Sequence, residues 1–163
     1  MTPAMEPKPE LCSCLALRQA ARHVTQFYDD CLAPTRLRTT QFSILARLKQ
    51  LGPMTINALA AQMVMDRTTL GRNVQPLERE GLITIRRGQA DRRSKELHVT
   101  AAGAARLRAA IKLWAEAQAR FEAVFGAERA SHLRTILRAV TTSDFTGHAA
   151  GAATPGKGTV STA

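Results

Sequence analysis

Arg67, Thr68, Thr69, Arg72, Asn73 and Gln75 crowd into one short stretch, and all of them carry hydrogen-bonding side chains. Arg72 is of the type that donates two parallel bonds to guanine, and Asn73 can do the same to adenine. The threonines offer a hydroxyl and a methyl suited to thymine. A little farther on, Arg86, Arg87, Asp91, Arg92 and Arg93 form a basic tip with a single acid in it. Arg86, Arg87 and Arg92 suit phosphate oxygens, which add affinity and salt dependence without reading sequence. Asp91 would be repelled by phosphate and is better explained as the orienting partner of a neighbouring guanidinium. Thr55, upstream of the polar stretch, completes this set. The plain alternative is a solvated surface helix followed by a solvated hairpin.

A second chemistry is available at Cys14. It stands near the start of a helix with Arg18 one turn along on the same face, the setting in which thiols react. Tyr28 lies on nearly the same face but about 21 Å farther along a straight helix. It can therefore reach Cys14 only from a second subunit crossing antiparallel. The alternative for Cys14 is a small buried hydrophobe. Cys12 and Cys14 point about 200° apart on one helix, so with His23 they make no convergent metal set. Cys31 sits on the apolar stripe as core, and His98 reads as a surface residue. There is no glycine-rich phosphate loop and no histidine on the cysteine's face, so no catalytic set, enzyme activity or cofactor is expected.

The elements that must hold these residues follow from periodicity. From Arg67 to Arg79 the apolar residues Leu70, Val74 and Leu77 form one helical stripe, with Asp66 as N-cap and Gly81 just past the end. Pro76 falls inside this helix and should bend it. Ile83/Ile85 and Leu97/Val99 then alternate with polar residues as two strands of a hairpin. Before them, Cys14 to Leu32 reads as an amphipathic helix stopped by Pro34. Thr39 or Thr40 caps a second helix with Phe42, Ile44, Leu45 and Leu48, ending at Gly52-Pro53, and Thr55 caps a third. Short helix, tight turn at Val64-Met65-Asp66 and polar-faced helix make a helix-turn-helix, here without the glycine often found in the turn. Thr100 caps a long helix carrying Leu107, Ile111, Trp114, Gln118, Phe121 and Phe125. Gly126 separates it from a last helix to about Thr142. The fold class expected is mainly α with a small β-hairpin wing.

The chain has 163 residues, with 23 Lys+Arg against 13 Asp+Glu and a formal charge of +10, which favours a polyanionic partner. No apolar run is long enough to span a bilayer. The odd count of three cysteines and the lack of an export pattern suit a reducing cytoplasm. Residues 1–10 read as a disordered lead and 147–163 as a disordered Gly/Ala/Thr/Ser tail, flanking one domain over 11–146. Within it, about 36–99 forms a compact winged unit. The helices at about 14–32, 100–125 and 127–142 have apolar faces that one subunit cannot cover, so a homodimer is expected. It would present two reading helices to a pseudo-palindromic duplex. The mixed Thr/Asn/Gln/Arg face and the few aromatics argue against purely charge-driven or single-strand binding.

The run DRTTLGRNVQPLEREGLITIRRGQADRRSKELHVTAAG (Asp66–Gly103) resembles the winged-helix core of the MarR family of bacterial transcription regulators. D-R-R-S at Asp91–Ser94 matches the family's wing signature, and APTRLRTTQFSILARL resembles the helix preceding the core. The resemblance covers about 11–142. It implies a homodimer with interlocked first, fifth and sixth helices, a fourth helix in the major groove and wings at the minor groove. It also implies Arg93 as the wing arginine, Asp91 as its holder, and Arg67, Thr68, Thr69, Arg72 and Asn73 as contact positions. A small aromatic or phenolic ligand, or an oxidant, commonly releases DNA in this family, so a ligand-released repressor is the function implied. The pattern C-L-A-L-R with V-T-Q-F-Y at Val24–Tyr28 resembles the branch that senses organic hydroperoxides through a lone cysteine. Tyr28 matches one of that branch's tyrosines, while the other falls at Arg18. A ligand pocket is expected between the first, second and fifth helices, lined by Arg18, Phe42 and Trp114.

Overall fold

The computed structural model describes residues 8–88 and 93–145. Most of the lead and all of the tail expected from composition lie outside those residues. Lys8 precedes a 3-10 turn, Pro9–Leu11. The chain then forms α1 (Ser13–Leu32), α2 (Thr39–Leu51), β1 (Met54–Thr55), α3 (Ile56–Met63), α4 (Arg67–Arg79), β2 (Ile83–Arg87), β3 (Lys95–Val99), α5 (Ala101–Phe125) and α6 (Ala127–Thr142). The described residues fall into two compact units that divide between Phe125 and Gly126.

The expected wing is present with one strand more than the pattern predicts. The sheet order is β1-β3-β2, all antiparallel, with Met54 opposite Leu97 and Ile83 opposite Val99. A two-residue strand is too short to register as an alternation. Only half of the β2 pattern is core. Ile83 is buried, whereas Ile85 is exposed although Leu97 opposite it is buried.

Beneath the sheet, Ile44, Leu45, Leu48, Leu59, Leu70, Val74, Leu77, Leu82, Ile83, Leu97 and Leu107 close a single apolar cluster. The stripe read on α4 is thus the face it turns inward. The α2 cap differs from expectation. Arg38, not a threonine, is the N-cap residue, and its N–H donates to Gln41 Oε1 at 3.0 Å. Asp29, on α1, accepts from the Thr39 N–H at 2.7 Å and hydroxyl at 2.8 Å. An anion from a neighbouring helix satisfies the orphan donors as well as a local side chain would.

Within the second unit, α6 follows Gly126, which adopts the left-handed φ of 96° open to glycine. Ala130 is buried, while Ile136 and Leu137 are exposed.

Candidate nucleic-acid interface

Two caps aim α3 and α4. The Thr55 hydroxyl oxygen accepts from the Ala58 N–H at 3.2 Å, so Thr55 is fixed at the α3 N-terminus. At the other end of α3 the chain turns on Val64, with φ 51° and ψ 47°, and the N–H of Met65 donates to Ala60 O at 2.9 Å. The turn therefore needs the left-handed conformation that glycine usually supplies. A branched residue there costs about 1–2 kcal/mol. Asp66 then opens α4. Its carboxylate accepts from the Thr69 N–H at 2.8 Å and from the Thr69 hydroxyl at 2.6 Å. Those bonds hold the Asp66 carboxyl below its ordinary range.

With Leu70, Val74 and Leu77 turned into the core, Arg67, Thr68, Thr69, Arg72 and Gln75 are exposed together on the outer face. Asn73 is half-buried, and its side-chain amide donates back to Thr69 O at 2.9 Å. The helix continues through Pro76 to Arg79.

The C-terminal end of α4 is fastened to α5. Gly81 takes φ 69°. The Thr100 hydroxyl donates to Gly81 O at 2.6 Å and the Thr100 N–H to Leu82 O at 3.1 Å. Arg106 of α5 donates to Glu80 Oε2 at 2.5 Å. A Cβ at Gly103 would lie 2.1 Å from Leu82 O, so only glycine permits this approach.

On the wing, Arg86 stands opposite Glu96 and Arg87 opposite Lys95, both arginines exposed. The Gly88 N–H donates to Ser94 O at 3.0 Å and carries the pairing beyond the strands. Arg93 is exposed. Asp91 and Arg92 lie outside the described residues. His98 is not the surface residue expected: its Nε2 is enclosed, 3.5 Å from Glu96 Oε2.

The residues of the second chemistry are not brought together within one chain. Cys14 and Arg18 are exposed on the first turns of α1, where the Cys12 sulfur caps the helix by accepting from the Leu15 N–H. Tyr28 is buried, and its hydroxyl donates to Gln118 Oε1 at 2.7 Å. Cys31, expected as core, is only half-buried and accepts from Arg120 at 3.6 Å, while the same guanidinium lies over the Phe27 ring. Phe42 and Trp114 do meet, stacked with centroids 6.2 Å apart. They line a hollow of about 480 Å³ with Arg47, Gln50 and Ile111. Arg18 is not among its lining residues. Arg47 did not stand out in the sequence, and Gln118 was read only as a member of the long helix's stripe, without its partner. Both lie on helix faces and gain meaning only from a helix distant in the chain.

Comparison with known proteins gives concordant matches. A model of the MarR family matches residues 37–95. The transcriptional regulator MosR of M. tuberculosis, solved in complex with DNA, is similar at 36% identity and a TM-score of 0.68, over 80% of this chain and 96% of that one. The transcriptional repressor CouR, bound to a 23-mer DNA duplex, is similar at 28% identity and a TM-score of 0.74, over 83% and 99%. The organic hydroperoxide resistance transcriptional regulator of Bacillus subtilis (strain 168) is 29% identical over 91 residues, 56% of this chain and 62% of that protein. The chain spans about three fifths of the length of the curated relatives it matches.

Proposed function

The chain belongs to the MarR family of transcriptional regulators, and on that premise we propose that two copies of it bind a pseudo-palindromic duplex as a repressor that a small aromatic or phenolic ligand releases. The observation that carries the reading is the outer face of α4. Arg67, Thr68, Thr69, Arg72 and Gln75 stand exposed on a helix whose opposite side is locked into the core. Such a rod fits a major groove, and the wing with Arg86, Arg87 and Arg93 can reach phosphate or the adjacent minor groove. The net charge of +10 supplies the salt-dependent part of the affinity.

The second copy is supported by the apolar faces of the outer helices. Leu15 and Leu17 of α1 and Val124 of α5 are left exposed among the described residues. The ligand is supported by the Phe42–Trp114 hollow, where stacked rings suit an aromatic guest and Arg47 suits an acidic substituent on it.

The test is titration of a palindromic fragment from the gene's own upstream region, with and without excess random duplex. Preference for the palindrome supports sequence reading, and equal affinity for both eliminates it. Arg72→Ala should cost about 1–3 kcal/mol on the preferred fragment and relax the choice of one base pair.

A thiol-based release through Cys14 is the second reading, favoured by the exposure of that thiol on the first turn of α1 and by the likeness to a hydroperoxide-resistance regulator. An organic hydroperoxide would oxidise the thiol to a sulfenic acid and be reduced to its alcohol. Equal release of DNA by wild type and Cys14→Ser after treatment would exclude it.

A further inference from the structure

A different hollow, of about 300 Å³, lies between the turn after α1 and the first half of α5. Pro34, Thr35, Arg36, Arg106 and Ala109 line it. Two arginines, Arg36 and Arg106, therefore line one concavity, and none of its lining residues is acidic. Arg36 is held there in the left-handed conformation, φ 59° and ψ 22°, by its N–H bond to Ala33 O at 2.9 Å. That backbone is uncommon for a residue other than glycine or asparagine. Arg106 is the residue that also holds Glu80, the C-cap residue just past α4.

We propose that this hollow binds a small dianion through Arg36 and Arg106, and that the bound anion draws Arg106 away from Glu80. Guanidinium is built for bidentate capture of carboxylate or phosphate, and two of them on one wall match two negative charges. A hollow of this volume admits a small metabolite but not a duplex. Glu80 and the ligand compete for one guanidinium, so occupancy loosens a tie between α5 and α4. The binding step stands on the hollow alone. Its consequence for DNA rests on the proposed reading role of α4.

Calorimetry on the full chain, with succinate and inorganic phosphate as separate probes at ionic strength held constant with sodium chloride, tests the site. Saturable binding of one probe at about millimolar concentration or below is expected, and the better probe identifies carboxylate or phosphate. Arg36→Gly keeps the left-handed backbone and should weaken that binding by at least about tenfold, as should Arg106→Gln. Glu80→Gln removes the competitor and should tighten it several-fold. Saturation by neither probe, or unchanged affinity in Arg36→Gly, overturns the site. Fluorescence anisotropy on the preferred DNA fragment then tests the coupling. The saturating probe should weaken wild type and leave Arg36→Gly unaffected, and equal effects on both overturn it. A chain that selects no fragment under any condition sinks the DNA reading, while the calorimetry still decides the anion site.

Discussion

The segment from Leu37 to Val99 and the helices flanking it treat their apolar residues in opposite ways. In the middle, Ile44, Leu45, Leu59 and Leu70 are 0% exposed and close a core to which Leu32 of α1 and Leu107 and Ala110 of α5 also contribute. At the edges, residues 13–23 of α1 are all exposed. Val124 near the end of α5 is 89% exposed. Helical stripes of equal quality in the sequence thus do different jobs. One set closes a core that can present a helix rigidly. The other is an unsatisfied surface, which in water is costly unless something covers it.

The largest effect that would break this contrast is at the centre. Leu45→Ala should lose about 2–5 kcal/mol of stability in urea unfolding, because the closed core cannot collapse around the void. Leu17→Glu should leave that stability nearly unchanged in dilute protein. It should raise the dissociation constant of the proposed dimer at least about tenfold by analytical ultracentrifugation. A comparable fall in urea stability for Leu17→Glu would erase the distinction between the two regions.

Where the regions meet, the expected effects are intermediate. Gly103→Ala puts a methyl against the Leu82 carbonyl and should cost about 1–3 kcal/mol by thermal melting, since the α5 start and the α4 end must separate. Within the central segment, Val64→Gly should instead stabilise by about 0.5–1 kcal/mol. The relief of left-handed strain exceeds the added chain entropy of glycine.

The smallest effect is on pH dependence. Partial burial raises the carboxyl of Asp29, but the Thr39 N–H, the Thr39 hydroxyl and Arg38 lower it more, so the net shift is downward. A carboxyl lowered on folding contributes stability above its unfolded value. That contribution is lost as pH falls through the folded one, from about pH 4 downward. Asp29→Asn, which unties α1 from α2, should flatten the acid limb of the stability curve. Asp66→Asn should do so by an effect local to α4. An unchanged acid limb in both variants would show that neither cap is made in solution.

Local signals were legible in the chain. The Asp66 cap, Gly81 after α4, the Leu70/Val74/Leu77 stripe and the Thr55 and Thr100 caps each depend on residues within one turn, so spacing finds them. What escaped is non-local. Asp29 capping α2 spans ten residues, Glu80–Arg106 twenty-six, and Tyr28–Gln118 ninety. Periodicity has no access to such pairs. The same cause accounts for His98, whose strand alternation points it away from Leu97 toward a hollow that it lines together with Gly52 and Pro53. Most of the outward face of α4 was readable, because the inward face is fixed by three aliphatic residues. Arg47, Arg36 and Arg106 were not, because each is one charge among many until α5 is laid beside it.

The Asn73 amide is already engaged, clasping the Thr69 carbonyl one turn back. A side-chain amide carries two N–H donors and one oxygen, so the clasp leaves one donor and the oxygen for the edge of a base. On the proposed reading Asn73 meets an adenine with its rotamer already chosen, and less side-chain freedom is lost on binding than for an untethered amide.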